Sequence, residues 1–272
     1  MRPVAPEELN ALLTVMNARY GYDFAGYAEA SMIRRVQRCA SLAGDLSIKD
    51  LANRISEDPE FFRWFIQTFT VNVTEMFRDP VFYLKIREKV LPVLATYPTI
   101  KIWHAGCATG EEVYSMAILL HEAGLLNRTR IYATDINPVN LEKAQAGVLP
   151  ISTIKEYTQN YRRAGGTSDF SEYYTARYDK AIIRKDLRES VVFSQHNLVT
   201  DGVFNEFQLI LCRNVLIYFK RDLQNKVIRL LYESLGPLGF LALGTKESLM
   251  FSEMRGHFDV VNGSQKIFRR QS

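Results

Sequence analysis

The sequence predicts an α/β protein in which a mostly parallel sheet follows an all-helical N-terminal domain and carries a small inserted antiparallel β-subdomain. Three observations predict it. From residue 100 onward short apolar runs alternate with amphipathic helical stretches, the pattern of βαβ units with right-handed crossovers. Residues 1–75 show only the helical period. Residues 148–188, rich in Tyr, Arg, Lys, Ser and Thr around Gly165-Gly166, break the alternation. A structureless loop of that length is foreign to a compact domain, so they read as an inserted unit. The expected divisions are a helical domain over 1–75, a linker helix over 76–98, and a sheet domain over 99–272 holding the insert at 148–188.

Each element has its own signal. Leu9, Leu12, Leu13 and Met16 share a face over Glu7–Arg19. Met32, Ile33, Val36 and Cys39 do so over Ala28–Leu42, with Arg34, Arg35 and Arg38 elsewhere on that helix. Ser47 reads as the N-cap of a helix to Ile55, and Asp58-Pro59 opens another through Phe69. Pro80 opens a long amphipathic helix, Val81–Tyr97, stopped by Pro98. Then follow a strand at Ile100–His104, a helix at Glu111–Ala123 ended by Gly124, a strand at Arg130–Thr134 and a helix at Pro138–Ala146. Past the insert come strands at Val191–Gln195 and Phe207–Leu211, a helix at Arg221–Ser234 and a strand at Phe240–Leu243. A closing hairpin over Phe258–Phe268 is expected to turn on Asn262-Gly263.

Composition excludes several classes. At 272 residues, 47% hydrophobic and 24% charged, the chain is globular and needs no disulfide or metal to hold its core. Cys39, Cys107 and Cys212 are scattered, as are the four histidines, which argues for a reducing compartment and against zinc. The N-terminus has no apolar signal region, and no run approaches the roughly 18 apolar residues of a membrane span, so a cytoplasmic location without membrane insertion is expected. A net charge of +4, with both signs interleaved, does not point to nucleic acid.

In open α/β sheets ligands bind beyond the carboxyl ends of the strands. The first strand runs into Gly106-Cys107-Ala108-Thr109-Gly110, a loop whose glycines let a ligand approach the backbone. The next helix begins Glu111-Glu112, which would repel a pyrophosphate at the helix N-terminus. S-adenosylmethionine (SAM) carries a sulfonium and an amino group and no phosphate, so the acidic pair favours it over a dinucleotide. The bland alternative is a turn whose glutamates merely stabilise the helix. Asp135, after the second strand, suits the ribose hydroxyls, or it and Asn137 cap the next helix. Asn197 and Leu198, after the third, suit an adenine ring, or Asn197 serves its own turn; His196 beside them reads as structural. After the fourth strand, Cys212-Arg213-Asn214-Val-Leu-Ile-Tyr218-Phe lacks the Asn/Asp-Pro-Pro-aromatic and Pro-Cys elements of base-modifying DNA methylases.

Val71-Asn72-Val-Thr74-Glu-Met-Phe-Arg78, Thr109-Gly-Glu-Glu112 followed by Tyr114-Ser115, Ala133-Thr-Asp135-Ile, and Cys212-Arg-Asn214-Val-Leu-Ile-Tyr218-Phe together resemble the bacterial chemotaxis protein methyltransferases (CheR-type). The resemblance covers essentially the whole chain. It implies a Rossmann-like SAM-dependent methyltransferase sheet and transfer of methyl from SAM to glutamate carboxylates of chemoreceptors, leaving S-adenosylhomocysteine. By position it implies cofactor roles for Asn72, Thr74, Arg78, Glu112, Asp135, Asn197, Leu198, Arg213 and Asn214, beside Gly106 of the loop. The first three rest on the resemblance alone, because their segment otherwise reads as a cap.

A glutamate acceptor is ionised at neutral pH, with a pKa of about 4.3, so the lack of an evident catalytic base fits. Tyr218 is the candidate for the substrate side, holding the carboxylate or flanking the methyl group, or else it is an aromatic lid on the cofactor. Some members have a substrate-side arginine on the helix ahead of the first strand; Arg87 is the residue near that place. Arg34, Arg35 and Arg38 form a basic patch, in a region whose residues 1–80 hold 9 Lys and Arg against 11 Asp and Glu. The resemblance implies that this patch docks the acidic receptor helical bundle, and the plain alternative is a solvated helix face. In some members the insert also adds a strand to a receptor C-terminal peptide, others do without that tether, and the sequence assigns this insert to neither group. A monomer is expected. Rival readings are a SAM methyltransferase acting on RNA or a small molecule, and a non-catalytic module that binds SAM and receptor.

Overall fold

The computed structural model describes residues 4–272. Helices α1 (Pro6–Tyr20), α2 (Glu29–Leu42), α3 (Ile48–Glu57) and α4 (Pro59–Phe69) pack around Leu12, Met16, Val36, Leu51, Ile55, Phe65 and Phe69, all fully buried. Their starts follow capping chemistry. Ser47 Oγ accepts from the Asp50 N–H at 3.1 Å, and Asp58 Oδ1 accepts from the N–H groups of Glu60 and Phe61 at 3.0 Å each. Each such cap contributes about 1 kcal/mol.

The linker departs from the unbroken helix expected over Val81–Tyr97. It is α5 (Pro80–Lys85), a π turn at Ile86–Val90 and α6 (Leu91–Leu94). Pro92 has no N–H to donate, and its ring would strike the Glu88 carbonyl in a regular ladder. The helix absorbs the conflict by widening ahead of the proline, and it ends before Tyr97.

The sheet domain then runs through β1 (Ile100–Ala105), α7 (Glu111–Glu122), β2 (Thr129–Asp135) and α8 (Pro138–Ala146). The insert follows as β3 (Val148–Pro150), α9 (Ile154–Arg163), β4 (Tyr174–Arg177), β5 (Lys180–Ile183) and α10 (Lys185–Glu189). The chain finishes with β6 (Val191–Gln195), β7 (Phe207–Cys212), α11 (Arg221–Glu233), β8 (Leu235–Leu243), β9 (Phe258–Asn262) and β10 (Ile267–Arg270). The large sheet has the order β6-β2-β1-β7-β8-β10-β9. Its first five strands are parallel, and β10 runs antiparallel to both β8 and β9. That reversed hairpin separates it from the all-parallel dinucleotide-binding sheet. Alternation sorts the side chains: Ile100 and Ile102 of β1 enter one core with α7, and Trp103 and Ala105 enter the other with α11. The order of strands reverses between β1 and β7, and the crevice at that switch point lies beyond their carboxyl ends.

The insert holds the expected small antiparallel sheet, three-stranded in the order β3-β5-β4, and adds to it a helix the sequence did not announce, α9, packed on α5. The helix was hidden because its buried face is built largely from tyrosines, Tyr157 and Tyr161 beside Ile154. The closing hairpin does not turn tightly on Asn262-Gly263. Its loop covers residues 263–266; Gly263 is not left-handed, Lys266 is (φ 53°), and Asn262 Oδ1 accepts from the Gln265 N–H at 2.8 Å. The register shift between Ile267 and Phe268 uses the longer loop. No helix among the described residues is long and apolar enough to cross a membrane.

Candidate active site

A cavity opens at the switch point between the helical domain and the carboxyl ends of β1, β2 and β7. It gathers every one of the ten candidate cofactor residues, Asn72, Thr74, Arg78, Gly106, Glu112, Asp135, Asn197, Leu198, Arg213 and Asn214, together with Tyr218 and Arg35. The helical domain closes one wall. Phe24 and Tyr27 line the cavity, Tyr27 meets Phe219 edge to face at 4.8 Å, and the Ala28 N–H donates to the Tyr218 carbonyl at 2.8 Å.

The glycine loop folds back on its neighbours. Gly106 is left-handed (φ 80°), and a Cβ there would stand 2.6 Å from Val215 Cγ2. Gly110 (φ 94°) sits so near α8 that a Cβ would be 2.9 Å from Ala144 Cβ. The glycines thus serve packing as well as ligand approach. Asp135, at the end of β2, accepts from the Ala108 N–H and the Asn137 N–H, each at 2.9 Å, and so ties this loop to β2. Burial pushes its carboxyl up against those hydrogen bonds. Asn137 is the cap of α8, accepting from the Val139 N–H at 3.0 Å.

Of the two loop glutamates only Glu112 lines the cavity. Glu111 accepts from Thr109 Oγ1 at 2.7 Å away from it, and burial raises its carboxyl. Glu112 Oε1 lies 3.0 Å from His104 Nδ1, and its Oε2 accepts from Arg213 Nη1 at 2.8 Å. Against the burial that would raise it, His104 and Arg213 hold Glu112 below the usual carboxylate range. The carboxylate is acceptor only, so Nδ1 of His104 carries the proton. Arg213 donates its other arm to Asp79 at 2.7 Å and stacks over Phe82 at 4.0 Å. With a side chain 1% exposed, it pairs through its two Nη atoms with Glu112 and Asp79, while its buried Nε has no hydrogen-bond partner among the described residues.

Asn72 is similarly committed. Its amide donates to the Gln67 carbonyl and accepts from Thr70 and from Asn140 Nδ2 at 2.7 Å. Asn140, which the sequence did not single out, lines the cavity with a buried Oδ1 that has no hydrogen-bond partner among the described residues. Thr74 and Arg78 have no side-chain hydrogen bond or ion pair among the described residues, which leaves the Arg78 guanidinium open to an anion. Asn197 accepts from the Val199 N–H at 3.0 Å and shapes its own turn, with Leu198 beside it. His196 also lines the cavity: its Nε2 lies 3.1 Å from the Gly202 carbonyl, its ring meets Trp103 edge-on, and its buried Nδ1 has no hydrogen-bond partner among the described residues.

The three arginines of α2 separate. Arg34 and Arg38 are exposed, whereas Arg35 reaches the cavity and lies over the Tyr218 ring at 4.4 Å, with a buried Nη2 that has no hydrogen-bond partner among the described residues. The Tyr218 hydroxyl has no hydrogen bond among the described residues. Arg87 is held elsewhere: it pairs with Glu122 and donates to the Ala164 carbonyl, outside the cavity lining. The most consequential residue missed in the sequence is Glu247, just past β8. Its buried carboxylate accepts from the N–H groups of Gly244, Asn214, Val215 and Leu216, and so shapes the turn that presents Tyr218.

Comparison with known proteins agrees with this geometry. The family model described as CheR methyltransferase, SAM binding domain, matches residues 72–267, and the one described as CheR methyltransferase, all-alpha domain, matches residues 7–70. A Pseudomonas putida protein named as the methyltransferase Cher3 is 49% identical over 263 residues, covering 97% of this chain and 96% of that one. The chemotaxis protein methyltransferase of Vibrio anguillarum is 34% identical over 191 residues, 68% of this chain and 67% of its own. That of Listeria monocytogenes is 28% identical over 238 residues, 87% and 88%. The cofactor is S-adenosylmethionine, and the chain belongs to the CheR methyltransferase family.

Proposed function

We propose that the protein transfers the methyl group of SAM to glutamate side-chain carboxylates of chemoreceptors, giving glutamate methyl esters and S-adenosylhomocysteine. The observation that carries this reading is a pair in the cavity wall: the Arg35 guanidinium stacks on the Tyr218 ring, and neither its buried Nη2 nor the Tyr218 hydroxyl has a hydrogen bond among the described residues. A carboxylate satisfies both, through a charge-assisted hydrogen bond to each.

The cavity residues fit the cofactor by charge. Glu112, kept ionised by Arg213 and His104, suits the amino group, and Arg78 suits the carboxylate of the same moiety. Asp135 suits the ribose hydroxyls; Ile136 and Leu198 flank the place for the adenine, with Asn197 at its edge. Gly106, Asn72, Thr74 and Asn214 complete the wall. When bound, SAM supplies an electrophilic methyl on a sulfonium. The acceptor glutamate needs no base, and what Arg35 and Tyr218 contribute is orientation of its oxygen. Phe24, Tyr27 and Phe219 help keep water out, which favours a reaction in which opposite charges cancel. Arg34 and Arg38 supply exposed cations for an acidic receptor surface, and β4, an edge strand of the insert, is free to pair with a receptor C-terminal peptide.

Two variants test the two halves of the site. Tyr218→Phe is expected to lower kcat by about tenfold or more, the worth of one hydrogen bond to a charged group, and to leave SAM affinity unchanged in calorimetry. Equal loss of both would remove Tyr218 from the substrate side. His104→Leu deprives Glu112 of one partner and is expected to weaken SAM binding about tenfold while sparing 5′-methylthioadenosine, which lacks the amino acid moiety. Equal weakening of both ligands would mean that His104 only supports the loop.

A further inference from the structure

Beside the SAM cavity runs a second groove, lined by Leu216, Ile217, Arg221, Gln224, Lys246 and Phe251 among others. It shares Ile217 with the SAM cavity, so the two flank the turn that carries Tyr218. Its rim exposes large apolar side chains: Phe251 is 65% exposed, with Met250 beside it at 63%. Arg221 lies 4.8 Å over the Phe251 ring. Arg221 and Lys246 are exposed and have no ion pair among the described residues, and the neighbouring acid Glu253 is already paired with Arg229. Glu247, from the same loop as Lys246 and Phe251, bonds the Asn214–Leu216 backbone, so the groove is fixed relative to Tyr218 rather than free to drift.

We propose that this groove docks a second stretch of the protein substrate, an acidic segment with apolar side chains on its contact face, and thereby presents the acceptor glutamate to Tyr218. The inference rests on the reading of the site as a protein carboxylate methyltransferase. An acidic segment matches the unpaired Arg221 and Lys246, and its apolar face covers Phe251 and Met250. Docking here engages the substrate through residues other than those of α2.

The test compares wild type with Arg221→Glu/Lys246→Glu and, separately, Phe251→Ser, using labelled SAM and a receptor cytoplasmic fragment. The charge reversal is expected to raise KM for the fragment about tenfold at low salt and less at high salt, with SAM affinity and kcat at saturation unchanged. Phe251→Ser is expected to raise KM about fivefold at any salt. Unchanged KM in both variants overturns the proposal, as does unchanged KM accompanied by loss of a dimer in sedimentation, which would assign the groove to self-association. A wild-type protein that binds SAM but never methylates the fragment overturns the underlying reading, and the groove's role with it.

Discussion

Arg213→Met is expected to lower stability by about 3–5 kcal/mol, a fall in Tm of about 10 °C, and to abolish measurable SAM binding. The arginine is buried between two carboxylates, Glu112 and Asp79, and it stacks on Phe82. Met fills much of the volume, so the loss falls on the charges left behind. The pH dependence separates this from a packing effect. In the wild type, His104 and Arg213 hold folded Glu112 below its ordinary 4.5 despite burial. The stability so contributed is complete above that value and is lost as pH falls through it toward the folded pKa. Without Arg213, only His104 opposes burial, so the Glu112 carboxyl rises and the variant keeps less of this pH-dependent stability. The gap between the two proteins is therefore widest near neutrality and narrows below about pH 4.5. A gap that stays constant from pH 7 to pH 4 in thermal melts would contradict the pairing.

Glu247→Gln is expected to cost about 2–4 kcal/mol and to lower turnover about a hundredfold, although Glu247 does not line the SAM cavity. Four backbone N–H groups converge on the wild-type carboxylate, from Gly244, Asn214, Val215 and Leu216. An amide offers one oxygen and turns an NH2 toward the remaining donors. Asn214 is left-handed, at φ 61°, and depends on such anchoring to stay so. The turn relaxes, and Tyr218 moves with it. Crystal structures of the variant should show the 213–218 turn displaced while β7 and β8 stay in place. Full turnover with lowered Tm would limit Glu247 to a structural role.

The helical domain was legible because its faces are apolar at strict spacing and its starts carry Ser47 and Asp58. The parallel strands were legible as short apolar runs, and inspection of their carboxyl ends found Gly106, Glu112, Asp135 and Asn197, which the cavity unites. What escaped depends on contacts distant in sequence. Pro92 inside an otherwise regular pattern is a local signal for the π turn at Ile86–Val90 that periodicity alone overrides. Arg34, Arg35 and Arg38 look alike as a charge cluster; only the position of Tyr218, on another domain, distinguishes Arg35. Arg213 reads as a ligand-binding cation, yet Asp79, on a loop more than a hundred residues earlier, claims it with Glu112. Glu247 had one usable signal, an acid just past the carboxyl end of the fifth parallel strand, the same location that identified the residues after the first four.

The most direct test of the central claim is methyl transfer from labelled SAM to a receptor cytoplasmic fragment, followed by mild base. Incorporation of label that base releases as methanol, and that is lost when the fragment's glutamates are replaced by alanine, is the predicted result. Label that survives base, or that enters RNA or a small molecule instead, would contradict carboxylate methylation.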